Sequence, residues 1–225
     1  MKVDLAYPKI PDSRNCPLKQ CVAFEKYDGT NMHWIWENSW ILFGTRRDEF
    51  PLTEKGINDF DKAHVGLEEA PVVFNTVWAE KMDNYIRTKL NSNSESNSTE
   101  SKLPRVILFT EFLGKNSFAG SHKDSDAKFL VLFDVEINGK MLSPDEFLDF
   151  VSGLDSSLQS AKVIYKGKYS SQLGENVRDG KYKVPEGIVV KGLVKGEIYM
   201  IKIKTNAYME KLKASFKEKW TDYWE

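Results

Sequence analysis

Lys26 stands in the run Glu25-Lys26-Tyr27-Asp28-Gly29-Thr30-Asn31, and a lysine can attack an electrophile only once it has lost its proton. The unperturbed side chain titrates near 10.4, so it is a poor nucleophile at neutral pH. Nearby positive charge and partial burial lower that value and free the amine. Arg47, Lys191, Lys202 and Lys204 are the candidate neighbours, so Lys26 is expected to have a depressed pKa. Alone, Lys-x-Asp-Gly is better read as a solvated lysine at a surface turn. The ordered company it keeps weighs against that: Arg46-Arg47, Thr110-Glu111, Phe133-Asp134, Glu186-Gly187-Ile188-Val189-Val190-Lys191 and Lys202-Ile203-Lys204. Together they read as a site where one lysine attacks a nucleotide phosphate and other lysines hold it.

Lys202 and Lys204 carry a geometric argument of their own. Residues two apart on a strand face one side, so both ammonium groups, roughly 7 Å apart, project from one face with Met200. Tyr199, Ile201 and Ile203 then face the core. Such a pair suits the spread charge of a triphosphate; an edge strand protected by lysines would look the same. Glu111 lies inside the apolar run from Val106 to Leu113, on the face of Phe109, where a carboxylate is costly unless paired or bound to a ligand. Glu111 and Glu186 suit ribose hydroxyls or a divalent metal on phosphate, or else pair with lysines. Phe133 is either plain core or a surface on which a base stacks. There is no Gly-x-x-x-x-Gly-Lys-Ser/Thr and no Gly-x-Gly-x-x-Gly, so a nucleotide here is held by side chains rather than by a glycine-rich loop.

These residues need a frame. Val22-Ala23-Phe24 predicts a strand that delivers Lys26 to a turn at Asp28-Gly29. Met32, Trp34 and Trp36 alternate, as do Trp40 and Leu42, which predicts a hairpin around Asn38 and Ser39. Apolar residues recur at helical spacing from Leu67 to Leu90. The run from Asn91 to Ser101 is almost entirely polar and predicts a flexible loop. Arg105 to Leu113 and Phe129 to Ile137 read as strands, the second ending at Asn138-Gly139. Ser143-Pro144-Asp145-Glu146 is a helix start with a capping box. Gly187 to Lys204 reads as two strands joined at Lys195-Gly196. Ala207 to Trp224 predicts a helix, with Phe216, Trp220 and Tyr223 or Trp224 in a docking stripe and Lys213 and Lys217 four apart, able to offer charge to nucleic acid.

The whole chain sets wide bounds. Its 225 residues are 41% hydrophobic and 29% charged, an ordinary folded composition. With 32 basic against 33 acidic residues, any nucleic-acid binding must come from a local patch rather than from net charge. Cys16 and Cys21 with three scattered histidines make no structural zinc pattern. Free cysteines fit an intracellular, reducing compartment, cytoplasmic or nuclear. No apolar run is long enough to span a membrane.

The ordered set resembles the motifs of the covalent nucleotidyltransferases: DNA ligases, RNA ligases and mRNA capping enzymes. Lys26-Tyr27-Asp28-Gly29 resembles motif I, Arg47 (or Arg46) motif Ia, Glu111 motif III, Phe133 motif IIIa, Glu186 to Lys191 motif IV, and Lys202-Ile203-Lys204 motif V. The continuation Gly29-Thr30-Asn31 is most similar to the Rnl2-like ATP-dependent RNA ligases, whereas Asp28 points back to the wider superfamily. The resemblance implies an α+β nucleotidyltransferase fold, with mixed, mostly antiparallel sheets flanked by helices. It implies an adenylation domain over residues 1–206, a C-terminal helix over 207–225 and no OB-fold.

The cofactors implied are ATP with Mg2+ or Mn2+. The nucleotide would be held by Glu25, Lys26, Asp28, Asn31, Arg47, Glu111, Phe133, Glu186, Lys191, Lys202 and Lys204, with Glu111 and Glu186 toward the metal. Lys26 would form a lysyl-AMP. The partner implied is RNA with a 5′-phosphate and a 3′-hydroxyl. With about twenty residues after motif V, sealing would be weak or would need a protein that supplies the missing surface. A DNA ligase or capping-type core, and a non-catalytic module that binds nucleic-acid ends, are the alternatives.

Overall fold

The computed structural model describes residues 1–91 and 104–223. Most of the polar run expected as a loop lies outside the described residues, as does Trp224. Strand β1 (Gln20–Lys26) ends at the Asp28-Gly29 turn, and β2 (Thr30–Trp36) and β3 (Trp40–Thr45) form the expected hairpin, with Asn38 at φ 66°. A short β4 (Phe50–Pro51) leads into α1 (Glu54–Ala63), α2 (Glu69–Val73), a π-helical turn over Phe74–Trp78, and α3 (Ala79–Asn91). Strands β5 (Val106–Gly114), β6 (Lys128–Ile137) and β7 (Lys140–Met141) follow, then α4 (Pro144–Ser152) behind the Ser143 capping box. The chain continues through β8 (Gln159–Ser160), β9 (Val163–Lys168), α5 (Ser171–Arg178), β10 (Gly187–Val194), β11 (Glu197–Lys204) and α6 (Asn206–Phe216).

The strands form two sheets. One has the order β11-β10-β1-β9, all antiparallel. The other runs β4-β3-β2-β5-β6-β7, with β8 added parallel to β6. Alternation assigns the faces. In the first sheet Ala23, Ile188, Val190, Ile201 and Ile203 pack against Leu173 and Val177 of α5. In the second, Met32, Trp34 and Trp36 join the main core with Phe60, Phe74, Trp78, Met82 and Phe147 from the helices. Trp34 stacks on Phe74 at 3.8 Å and donates its indole N–H to Thr110 at 2.9 Å, so its polar atom is not stranded. The remaining faces of the two sheets look toward one another, and Val22 and Phe24 of β1 reach across into the main core.

The tail departs from the expected single helix. α6 ends at Phe216, Lys217 takes φ 48°, and residues 217–223 continue as a 3-10 turn. Among the described residues no helix is long and apolar enough to cross a membrane.

Candidate active site

The facing surfaces enclose a cleft of about 280 Å³. From the first sheet it is lined by Lys26 of β1, Val189 and Lys191 of β10, and Lys202 and Lys204 of β11; Asn31 and Glu111 come from the second. The face expected for Lys202, Lys204 and Met200 is the face observed, opposite Ile201 and Ile203. The face is not open to water: the Lys204 side chain is 7% exposed and Lys202 is also buried.

Lys26 sits on the floor. Its Nζ donates to both oxygens of Glu186, at 2.9 and 3.0 Å. Lys204 Nζ lies 3.1 Å from the same carboxylate, so one buried acid is shared by two lysines. The expected depression of the Lys26 pKa is not found. Burial pushes it down, but the carboxylates of Glu186, Glu111 and Asp28 outweigh burial, and the net shift is upward. Lys204 is the lysine shifted down: burial and the Lys26 charge outweigh Glu186. Lys191 is lowered too, by burial, although Asp134 partly restores it.

The acids also divide. Glu111 accepts from the backbone N–H of Gly29 at 3.0 Å. Burial pushes its carboxyl up to about 7, helped by Glu186 and opposed by Lys26. Gly29 is required here, because a Cβ would stand 2.2 Å from the Phe112 carbonyl oxygen. Asp28 lines the cleft, but both its oxygens are engaged: Ala119 N–H donates to one at 2.6 Å and the Tyr208 hydroxyl to the other at 2.7 Å. It therefore ties the Lys26 turn to the 115–122 loop and to α6 while lining the cleft with the other residues expected to hold the nucleotide. Glu25 lines the rim, and the Asn31 amide oxygen is buried without a hydrogen-bond partner.

One residue is corrected. Arg47 is exposed and does not line the cleft; Arg46 does, with its Nε donating to the Tyr7 carbonyl at 2.9 Å. Both lie just past the end of β3, where strand alternation no longer says which neighbour turns inward.

Three contributors were missed. Asp134 is buried, pairs with Lys191 at 2.6 Å and accepts from the Tyr7 hydroxyl at 2.6 Å. The argument that singled out Glu111, a carboxylate inside an apolar strand, applies to Asp134 as well. A bulge in β6 leaves Phe133 as the extra residue between Leu132 and Asp134, and Phe133 lines the cleft. Tyr7 comes from an N-terminal segment without periodicity, so nothing in the sequence marked it. Tyr208 lies on the apolar face of α6 with Met209 and Leu212, against Phe118, Ala119, Phe216 and Trp220. The docking expected for the tail's aromatics is thus present for Phe216 and Trp220. Lys213 pairs with Glu210 at 2.9 Å, and Lys217 caps the helix rather than continuing its face.

Two mostly antiparallel sheets facing each other across a lysine-floored cleft, with helices outside, make the architecture of a ligase adenylation domain. The RNA ligase family pattern matches residues 19–204, most of the chain, and the chain belongs to that family. Solved structures of a Naegleria gruberi RNA ligase share the fold. A variant with AMP and manganese gives a TM-score of 0.63 at 17% identity, over 93% of this chain and 59% of that one. A second variant with AMP and manganese gives 0.62 at 18% over the same shares. The ligase with pyrophosphate gives 0.59 at 18%, over 95% and 60%. The chain thus spans about three-fifths of the length of those ligases. No curated protein matches the chain.

Proposed function

We propose that this chain is an ATP-dependent RNA ligase of the Rnl2-like type that works through a lysyl-AMP on Lys26. The observation that carries the reading is the arrangement of charge in the cleft. Lys26 is oriented by Glu186 on the floor, and Lys191, Lys202, Lys204 and Arg46 line the same cleft. In the first step Lys26 Nζ forms a bond to the α-phosphorus of ATP and pyrophosphate leaves; of the two protons the ammonium gives up, one departs with the pyrophosphate and the other, shed to expose the lone pair, passes to a base. Glu186, within hydrogen-bond reach of Nζ, is placed to receive it. In the second step a 5′-phosphate oxygen of RNA takes the adenylyl group and Lys26 is restored. In the third a 3′-hydroxyl attacks the activated phosphate and AMP leaves. All three are in-line displacements, so positioning and charge neutralisation supply most of the catalysis.

Lys202, Lys204 and Arg46 suit the phosphates, Asn31 and Glu111 the ribose, and Phe133 the base. Among the described residues no group of three or more His, Cys, Asp or Glu is arranged to hold a metal alone. Glu111 and Glu186 fit an Mg2+ or Mn2+ carried in on the triphosphate, held by one or two carboxylates plus phosphate oxygens. Such an ion would supply neutralisation of developing negative charge.

The test is incubation with α-labelled ATP or GTP and magnesium or manganese, then a denaturing gel. Label from ATP should attach through an acid-stable bond and be absent from Lys26→Ala. Label retained on Lys26→Ala would remove Lys26 as nucleophile, and preference for GTP would favour a capping-type reading.

A further inference from the structure

Residues 1–12 belong to none of the motifs above, yet they form a strap between the two sheets. Val3 N–H donates to the Arg47 carbonyl at 3.0 Å and Ala6 N–H to the Arg46 carbonyl at 2.9 Å, which fastens one end beside β3. At the other end Lys202 N–H donates to the Pro11 carbonyl at 2.9 Å, and Asp12 bridges to Lys202 on β11. Between these anchors Tyr7, Pro8 and Ile10 line the cleft.

Tyr7 is buried, and its ring meets Phe133 at 5.0 Å and 87°. A T-shaped contact of this kind covers at most one face of Phe133. The Tyr7 ring also meets Phe109 at 5.0 Å, and its hydroxyl is fixed by Asp134. Phe133 is the bulged residue of β6 and has no ladder partner opposite it on β5, so its ring is placed by the side chains it meets rather than by pairing. Lys191 holds its carbonyl at 2.9 Å, and of the two aromatic rings that meet its ring Tyr7 is the nearer, at 5.0 Å against 6.5 Å for Phe109.

We infer that Tyr7 is a positioning residue that fixes the Phe133 ring as the base-stacking wall of the cleft, and so sets affinity for the nucleotide. This rests on the proposed ATP chemistry. It predicts that loss of the ring weakens nucleotide binding without slowing the chemistry at saturation. In Tyr7→Leu the ATP concentration for half-maximal labelling of Lys26 should rise about tenfold, the scale of a lost base–aromatic stack, with the limiting rate nearly unchanged. Tyr7→Phe, which keeps the ring, should stay close to wild type in half-saturation. Phe133→Leu should raise half-saturation similarly, and adding Tyr7→Leu to it should change little more, because both remove one wall.

Calorimetric binding of ATP to the Lys26→Ala protein, with and without Tyr7→Leu, reads the same effect without chemistry. Should Tyr7→Leu fail to fold, Tyr7→Met fills the space and serves in its place. Unchanged half-saturation in a folded Tyr7→Leu or Tyr7→Met would overturn the inference, as would a loss confined to the limiting rate or full multiplication with Phe133→Leu. A wild-type protein that neither binds nor is labelled by ATP would instead overturn the ATP chemistry.

Discussion

At the scale of single residues the cleft holds Lys26, the proposed nucleophile, as a cation. Glu186 contacts both Lys26 and Lys204 and orients the amine while keeping it charged. On the proposed reading an incoming triphosphate would add negative charge to the same cleft, so deprotonation would have to be coupled to events at Glu186 rather than prepared by neighbouring lysines. Glu111 bears the opposite cost. Its carboxyl is pushed up to about 7 by burial first and by Glu186 second. In the unfolded chain the same group ionises at an ordinary value near 4.3. Between those values the folded protein binds a proton that the unfolded chain has released, so stability falls as pH rises through that window. Glu111→Gln keeps an acceptor for the Gly29 N–H and removes the titration. Urea unfolding at pH 5 and pH 8 should show wild type losing on the order of 2 kcal/mol more than the variant across that range. Parallel loss in both proteins would mean that Glu111 titrates normally.

At the scale of elements, β11 does two jobs by alternation. Ile201 and Ile203 bury against α5, while Lys202 and Lys204 reach the cleft. A single charged-to-small substitution on the cleft face therefore leaves the core side of the strand intact. If the proposed adenylation holds, Lys202→Ala or Lys204→Ala should slow it more than tenfold, since each would remove a charge-assisted phosphate contact worth about 1.5–3 kcal/mol. Wild-type labelling rates in both variants would reduce the lysines to strand-edge protection. This face was legible because a period of two is written directly in Tyr199 to Lys204, and the hairpins were legible from Asn38, Asn138-Gly139 and Lys195-Gly196. The β6 bulge was not: nothing in Phe129 to Ile137 says that Phe133 is the residue without a partner, because the bulge is decided by pairing with β5. The choice between Arg46 and Arg47 was hidden for a related reason, since it lies in a turn shaped by the N-terminal strap. The helix ends where Phe216 stacks on Phe118 of the 115–122 loop, a contact between residues more than ninety apart in sequence that no local pattern announces.

At the scale of the molecule, the two sheets are joined at the back of the cleft by a buried ion pair. Lys191 of β10 and Asp134 of β6 meet at 2.6 Å with side chains 3% and 1% exposed. Tyr7 closes the same network from the strap, so three distant segments converge on one carboxylate. Replacing Asp134 by Ala removes the counter-charge and leaves a buried ammonium with the Phe133 carbonyl and the faces of Phe24 and Phe147, none of them an anion. Breaking one side of a buried pair costs about 3–5 kcal/mol, and the urea midpoint of Asp134→Ala should fall accordingly at pH 7. The loss has a pH signature. Burial already lowers the Lys191 pKa, and Asp134 is the group that raises it back. Without Asp134 the folded lysine releases its proton below the value at which the unfolded lysine does. Between those two values the unfolded chain binds more protons, so stability rises with pH. The gap between Asp134→Ala and wild type should therefore narrow from pH 7 to pH 10. A gap that stays constant would assign the loss to packing and to the Tyr7 hydroxyl instead of to the stranded charge. The variant Lys191→Met with Asp134→Leu separates the two further. If charge burial dominates, this apolar pair should recover most of the stability while the cleft loses one of its cations, so folding would be restored and Lys26 labelling would not.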